Sequence, residues 1–179
     1  MRTPIKREDV EKLNVGEEFY LDGNLITCRD AAHRRFLEEG MDLPVDMRGS
    51  AVFHAGPIVD ERHRVVSIGP TTSMRLERYE HDFIERTGVR LIIGKGAMGR
   101  RTEEACMKFG AVHAVFPGGC GVYAAERVEA VEEVEWLDLG MPEALWMLRV
   151  KDFGPLTVSI DSKGRNLFRE IRPALFRDP

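Results

Sequence analysis

The sequence predicts an α/β fold with a mixed sheet, in a single domain that spans residues 1–179. Strand-like and helical segments alternate in the middle of the chain, and both ends are rich in strand-like segments. No internal repeat, low-complexity tract or Pro/Ser-rich linker divides the chain. Its 179 residues suffice for one domain with a sizeable core.

The N-terminal segments have the pattern of a hairpin followed by a helix. Phe19–Leu21 and Leu25–Cys28 flank an Asp-Gly-Asn sequence centred on Gly23, which is typical of a β-hairpin turn. Asp30 is expected to cap a helix that stops at Gly40, because aspartate favours helix starts and glycine favours helix ends.

Two Gly-Pro pairs indicate further turns. The β-rich runs Ser50–His54 and Val65–Ile68 lead towards Gly56-Pro57 and Gly69-Pro70, which we expect to form turns. A helix should follow the second pair.

The strongest helical pattern runs from Leu76 to Ile84, where apolar residues recur at three- and four-residue steps before a stop at Gly88. A second helix is expected from about Thr102 to Phe109. The remaining strand-like runs are Val89–Ile93, Ala111–Phe116, Val131–Leu137, Leu145–Val150 and Leu156–Ile160, and Asp161–Gly164 has the composition of a turn.

The charge balance argues against polyanionic partners. With 26 basic and 30 acidic residues the formal charge is -4, whereas nucleic acid and anionic membranes require a basic surface. No stretch approaches the roughly 18 apolar residues of a membrane span, and the first residues lack the apolar run of a secretory signal. The three widely spaced cysteines favour reduced thiols in the cytoplasm.

A glycine-rich loop at Gly94–Gly99 matches the G-x-G-x-x-G pattern of dinucleotide-binding folds, between a strand and a helix. That pattern also requires an acidic residue about 20 positions later, and Val112 to Gly119 contains none. Dinucleotide binding is therefore the weaker interpretation. A turn without a ligand explains the glycines but leaves Lys95 without a role.

Two further strand-to-helix junctions carry candidate anion-binding residues. Thr71, Thr72 and Ser73 stand where a helix should begin, and Arg75 follows in its first turn. Free N–H groups and the helix dipole attract anions there, although simple helix capping explains the hydroxyls as well. At the other junction, Arg29 closes a strand, and a solvated surface position is the simpler reading.

These junctions together suggest a site for a small dianion. Arg29, Arg75 and Lys95 offer two guanidinium forks and one ammonium, with Thr71 and Thr72 beside one of them. The three cysteines show no close ligand spacing, so buried, inert thiols are a better reading of them than an iron–sulfur cluster on this chain.

Seven motifs in order resemble the β subunit of class I fumarate hydratases and L(+)-tartrate dehydratases, from about Thr3 to Phe168. They are Thr27-Cys28-Arg29-Asp30-x-x-His33, His54-Ala55-Gly56-Pro57-Ile58, Gly69-Pro70-Thr71-Thr72-Ser73-x-Arg75, Gly94-Lys95-Gly96-x-Met98, Phe116-Pro117-x-Gly119-Cys120, Leu139-Gly140-Met141-Pro142-Glu143-x-Leu145-Trp146 and Phe153-Gly154-Pro155-Leu156.

The resemblance implies a swivelling β/β/α fold and a partner α subunit whose own cysteines carry a [4Fe–4S] cluster, with no cofactor or metal ligand on this chain. The active site would lie between the two subunits. Position by position, Arg29, Arg75 and Lys95 would bind the substrate carboxylates. Thr71 and Thr72 would be catalytic residues of the same pocket, with Thr71 as the candidate for proton transfer.

The implied activity is that of a hydro-lyase, active only with the α subunit, which hydrates or dehydrates a C4 dicarboxylate. We prefer fumarate and L-malate because that reaction is common, with conversion of L-tartrate to oxaloacetate as the other candidate. Two other functions remain open, a nucleotide-binding oxidoreductase domain that uses Gly94–Gly99 and a non-catalytic regulatory subunit. A homodimer of this chain also remains open.

Overall fold

The structure is a computed structural model and describes residues 1–62 and 64–172. The strands are β1 (Glu18–Thr27), β2 (Ala51–Phe53), β3 (Ala55–Val59), β4 (Val65–Pro70), β5 (Leu91–Gly94), β6 (Val112–Val115), β7 (Val128–Glu135) and β8 (Leu145–Ile160). The α-helices are α1 (Arg7–Glu11), α2 (Asp30–Leu37), α3 (Glu77–Thr87), α4 (Arg100–Phe109), α5 (Gly121–Ala125) and α6 (Leu167–Ile171). Short 3-10 helices occur at Ser73–Leu76 and Leu137–Leu139.

Six strands form a mixed sheet in the order β1-β2-β5-β6-β8-β7, and β3 and β4 form a separate hairpin. The pairs β1–β2, β2–β5 and β5–β6 are parallel, whereas β8 runs antiparallel to β1, β6 and β7. Since β8 pairs with both β1 and β6, five strands close into a ring. The predicted α/β class with a mixed sheet is confirmed, while the swivelling β/β/α type stays a prediction.

Side chains that alternate along the central strands fill two apolar cores, because successive strand residues point to opposite faces. Val52 and Ile92 pack with apolar residues of α2, α3 and α4. Phe53 and Ile93 point to the other face and pack there with Phe153 of β8. The helices therefore cover one face of the parallel strands, and the carboxyl ends of these strands meet at one edge.

The hairpin predicted around Gly23 is wrong. β1 runs through this position as a single strand, and its pairing with β8 shifts register on both sides of Leu21. Gly23 has a φ of 97°, and a Cβ there would overlap the side chain of Thr3, which packs along the strand. Gly23 is needed here because the strand is irregular and Thr3 approaches it closely. Glycine is common at bulges and close approaches as well as in turns, so the local sequence resembles that of a turn.

The two predicted Gly-Pro turns are also wrong. Gly56 and Gly69 face each other across the β3–β4 hairpin, and Pro57 and Pro70 lie within those strands. A Cβ on Gly56 would overlap the backbone of Pro142, so this glycine lets two chain segments approach closely.

The helix predictions are closer to the structure. α3 ends at Thr87, and Gly88 follows with a left-handed φ of 67°. The turn at Asp161–Gly164 is confirmed by the hydrogen bond from Gly164 N to Asp161 O. The helix α2 begins at Asp30, but the predicted cap is wrong by one residue, because Arg29 occupies the N-cap position. The Asp30 carboxylate binds Arg75.

Candidate active site at the carboxyl edge of the sheet

Backbone hydrogen bonds join the segment after β4 to the ends of β2 and β5. Thr71 N donates to His54 O at 2.6 Å, and Lys95 N donates to Thr71 O at 3.1 Å. Ser73 N then donates to Lys95 O at 3.0 Å. These bonds place Lys95 beside Thr71 and Thr72, although Lys95 lies more than 20 residues later in the sequence.

Gly94 and Gly118 leave room for this arrangement. A Cβ on Gly94 would overlap the Ser73 hydroxyl, so a larger residue would push the two segments apart. A Cβ on Gly118 would lie 3.2 Å from Cδ of Lys95, which shows that the Lys95 side chain extends across Gly118. Lys95 itself is exposed, and within the described ranges its ammonium pairs with no carboxylate.

Arg75 links Thr71 to the start of α2. Its Nη2 and Nε atoms donate to the two oxygens of Asp30 at 2.8 and 3.2 Å, a bidentate geometry. Nη2 also donates to Thr71 Oγ1 at 2.7 Å. Partial burial acts to raise the pKa of Asp30, but the hydrogen bonds and charge of Arg75 outweigh it and lower that pKa. The Arg75 side chain stays 48% exposed.

Arg29 lies next to this group and is oriented by Glu143. Its Nη2 lies 3.0 Å from Glu143 Oε1, and its Nη1 donates to Pro142 O at 3.4 Å. The other Glu143 oxygen accepts from Ala31 N at 2.9 Å, in the first turn of α2. Arg29 Nε is buried and has no hydrogen-bond partner in the described part of the chain.

The structure thus brings the five predicted residues to one edge of the sheet. Thr71, Thr72, Lys95 and Arg75 are joined by the bonds described above, and Arg29 reaches the same place through its neighbour Asp30. Sequence reasoning missed Asp30 and Glu143 as the carboxylates that orient the two arginines. Glu143 stands in one of the seven motifs, which was the available signal.

The glycine-rich loop has a different role from the one that its pattern suggests. Glu77 caps α4, because its carboxylate accepts from Gly99 N at 2.7 Å, Arg101 N at 3.0 Å and the Thr102 hydroxyl at 2.6 Å. In a dinucleotide fold the pyrophosphate occupies this helix start. The negative charge of the Glu77 carboxylate at the start of α4 repels a phosphate. This geometry therefore argues against dinucleotide binding.

A buried polar network lies beneath the site. His54 Nδ1 lies 3.1 Å from Ser73 Oγ, and His113 Nε2 lies 3.2 Å from the same oxygen. His54 Nε2 faces Glu80 Oε2 at 3.2 Å. Burial raises the pKa of Glu80 to about 7, and burial lowers the pKa of His54 and of His113 to about 3.

The three cysteines differ in burial. Cys28 and Cys106 are buried, Cys120 is half-buried, and burial raises the pKa of the first two thiols. Among residues 1–62 and 64–172, no group of three side chains that could surround a single metal ion includes a cysteine. The raised pKa of the two buried thiols disfavours the thiolate form that binds metals.

The sequence model of the family described as Fumarase C-terminus matches residues 1–171. The chain belongs to this fumarase C-terminus family. The resemblance inferred from the seven motifs is thus confirmed.

Curated relatives of this fumarase C-terminus chain carry two kinds of names. The chain is 55% identical to the L(+)-tartrate dehydratase subunit beta of Escherichia coli (strain K12), over all of this chain and 92% of the relative. It is 41% identical to a putative L(+)-tartrate dehydratase subunit beta of Methanocaldococcus jannaschii, over 96% of this chain and 92% of the relative. It is 40% identical to a putative fumarate hydratase class I of Geobacillus stearothermophilus, over 96% of this chain but 34% of that longer relative.

None of the helices in the described part of this fumarase C-terminus chain has the length and apolar content that crossing a membrane requires.

Proposed function

We propose that this chain is the β subunit of a two-subunit class I fumarase-type hydro-lyase and supplies the groups that bind the substrate carboxylates. One observation carries the proposal. Arg75 and Lys95 are exposed cations on adjoining segments at one edge of the sheet, and the Thr71 hydroxyl accepts a hydrogen bond from Arg75. The names of the relatives supply the reaction class and the subunit role.

Arg29, Arg75 and Lys95 suit a dicarboxylate because of how they are held. A guanidinium fork matches a carboxylate best when its plane is fixed, and Glu143 and Asp30 fix the two arginines. Lys95 adds a point charge with three donors and no competing carboxylate in the described ranges. A small dianion that enters from the exposed side replaces water, not these ion pairs.

Thr71 is the proposed proton-transfer group, with Thr72 beside it. A threonine hydroxyl is a poor base, but Arg75 Nη2 lies 2.7 Å from Thr71 Oγ1, and a cation at that distance favours the deprotonated oxygen. An acidic side chain of the α subunit would accept the proton through this hydroxyl.

The [4Fe–4S] cluster belongs, in this proposal, to the α subunit, since burial raises the pKa of Cys28 and Cys106 and so disfavours the thiolates that a cluster needs. An open iron of such a cluster supplies Lewis-acid chemistry to the substrate hydroxyl. The site then lies between the subunits in the cytoplasm, where reduced thiols persist. Whether two copies of this chain also pair stays a prediction.

L(+)-tartrate is the substrate that the relatives favour. Two full-length relatives carry that name, whereas the fumarate hydratase relative is a longer chain with lower identity. We therefore place tartrate dehydration to oxaloacetate ahead of fumarate hydration, which we preferred from the sequence only because that reaction is common. Both substrates present two carboxylates to the same cations.

Reconstitution from separate subunits tests the proposal. The chain and a candidate α subunit are purified without oxygen and assayed, alone and mixed, for tartrate dehydration and fumarate hydration. We expect activity in the mixture only, with tartrate turned over faster. Activity of this chain alone contradicts the subunit role, and a stable complex that is inactive on both substrates contradicts the substrate class.

A further inference from the structure

Three buried side chains beneath the site converge on one point. His33 of α2, His54 between β2 and β3, and Glu80 of α3 are each 0% exposed. Glu80 Oε2 lies 3.2 Å from His54 Nε2 and 4.0 Å from His33 Nε2. Both Nε2 atoms and both Glu80 oxygens lack a hydrogen-bond partner among the residues described. Buried polar groups are normally satisfied, so this cluster requires an explanation.

The tautomer of His33 follows from its other nitrogen. Nδ1 lies 2.8 Å from Arg29 O, and a carbonyl oxygen can only accept a hydrogen bond. Nδ1 therefore carries the hydrogen, and in a neutral ring Nε2 presents a bare lone pair towards Glu80.

One tautomer of His54 is consistent with a chain of hydrogen bonds. In this assignment the Ser159 hydroxyl donates to His113 O at 3.1 Å, and its oxygen accepts from His113 Nδ1. His113 Nε2 then accepts from the Ser73 hydroxyl, whose oxygen accepts from His54 Nδ1. In this assignment His54 Nε2 is also a bare lone pair facing Glu80.

Two imidazole nitrogens and a carboxylate that converge in this way form a typical set of metal ligands. We propose that His33, His54 and Glu80 bind a divalent transition-metal ion of the zinc class. Ligand atoms each about 2.1 Å from one ion lie about 3.4 Å apart in a tetrahedron, close to the 3.2 and 4.0 Å seen here. His33 donates Nδ1–H to the Arg29 carbonyl oxygen, and in the assignment above His54 donates Nδ1–H to Ser73 Oγ, which is how metal-bound histidines are commonly oriented.

A hydrogen bond between His54 and Glu80 is the competing explanation. Either a protonated Glu80 donates to His54 Nε2, or His54 in its other tautomer donates from Nε2 to Glu80, and that pair is satisfied. His33 Nε2 would still face the same oxygen at 4.0 Å with no donor, and a second lone pair would stay buried and unpaired. A metal ion satisfies all three side chains at once.

A second set of possible ligands makes a useful control. His81, Asp82 and Glu85 also lie within reach of one another, but on the half-exposed and exposed side of α3. Asp82 already pairs with Arg101, and Glu85 pairs with Lys108. This surface cluster therefore has no unsatisfied buried atoms to attract an ion.

The ion would fix the three segments that present the site residues. His33 lies four residues after Arg29, and Glu80 lies five residues after Arg75. The carbonyl of His54 accepts the hydrogen bond from Thr71 N. Metal binding itself does not depend on the hydro-lyase proposal, so the two can fail separately.

Metal content of the full, untagged chain tests the inference. After treatment with a chelator, the protein is titrated with zinc, and binding is followed by competition with a coloured chelator and by nitrogen-15 NMR of the histidines. We expect about one zinc ion per chain, a higher melting temperature, and shifted Nε2 resonances for two buried histidines.

Variants separate the buried cluster from the surface cluster. Glu80→Gln and His54→Ala should weaken zinc binding roughly tenfold or more, whereas His81→Ala should bind zinc like the wild type. Should His54→Ala fail to fold, Glu80→Gln and the wild-type NMR spectrum still decide. A folded wild type that binds no zinc at micromolar concentration overturns the inference. So does an infrared band of a protonated buried carboxyl that persists in excess zinc.

Discussion

Arg75 joins an acid and a hydroxyl at the candidate site. Its guanidinium binds Asp30 through two hydrogen bonds and Thr71 through a third, so these three side chains act as a unit. Lys95 lies beside them through the backbone bonds of Thr71. Among single residues, the charge of Arg75 and the hydroxyl oxygen of Thr71 are the features on which the proposed carboxylate binding and proton transfer depend.

Thr71→Val in the assembled enzyme should lower kcat by about 10²–10⁴-fold, because valine keeps the shape of threonine and removes the proton-transfer oxygen. KM should change little, since the carboxylate-binding cations remain. Thr71→Ser keeps the oxygen and is the matched control. Steady-state kinetics of both variants make the comparison, and equal activity of Thr71→Val and Thr71→Ser contradicts the assignment.

Asp30→Asn should make the stability of the chain less sensitive to acid. Arg75 lowers the pKa of Asp30, so the stabilisation by this carboxylate is present above the ordinary value of 3.8 and is lost as the pH falls through the lowered pKa. The difference in unfolding free energy between wild type and Asp30→Asn should be constant at neutral pH and shrink in acid.

Urea unfolding from about pH 7 down to about pH 2 measures that difference. Asp42→Asn is the control, because Asp42 is exposed and makes no ion pair in the described ranges. A difference for Asp30→Asn that grows on acidification runs against the ion pair with Arg75.

At the scale of elements, helices were easier to predict than strands and turns. The 3.6-residue period and the stop at Gly88 predicted α3 well, because a helix is a local structure. The roles of Gly23 and Gly56 depend on Thr3 and Pro142, which pack against them from distant parts of the chain. No local pattern reveals such a neighbour, so both glycines were read as turns.

Gly56→Ala should destabilise the chain by about 1–3 kcal/mol, because the added methyl group overlaps the backbone of Pro142. Gly69→Ala is the control, since Gly69 is its cross-strand partner and a Cβ there meets only Gly121 Cα at 3.9 Å. Chemical denaturation of both variants gives the two free energies of unfolding. Equal effects of the two substitutions would contradict the explanation that the close approach of Pro142 requires glycine at position 56.

At the scale of the whole molecule, β8 closes the ring and so brings the strand ends together. The sequence indicated two short strands here, because Asp152 to Pro155 interrupts the apolar pattern, yet Leu145–Ile160 is one strand. The α/β class and the cationic edge were predictable from strand-to-helix junctions and the seven motifs. The pairings Arg29–Glu143 and Arg75–Asp30 were not, since they span more than 40 residues of chain.

The central claim is that this chain binds the substrate of a shared active site. The most direct measurement compares Arg75→Ala with Arg78→Ala in the complex with the α subunit, using tartrate and fumarate. Arg78 is an exposed arginine three residues away that stacks on Tyr79 and is no part of the site.

Arg75→Ala should lower kcat/KM at least about 30-fold, the equivalent of about 2 kcal/mol, while the complex still forms. Arg78→Ala should keep nearly full activity. Unchanged kcat/KM in Arg75→Ala would contradict the account and leave this chain a regulatory or structural role.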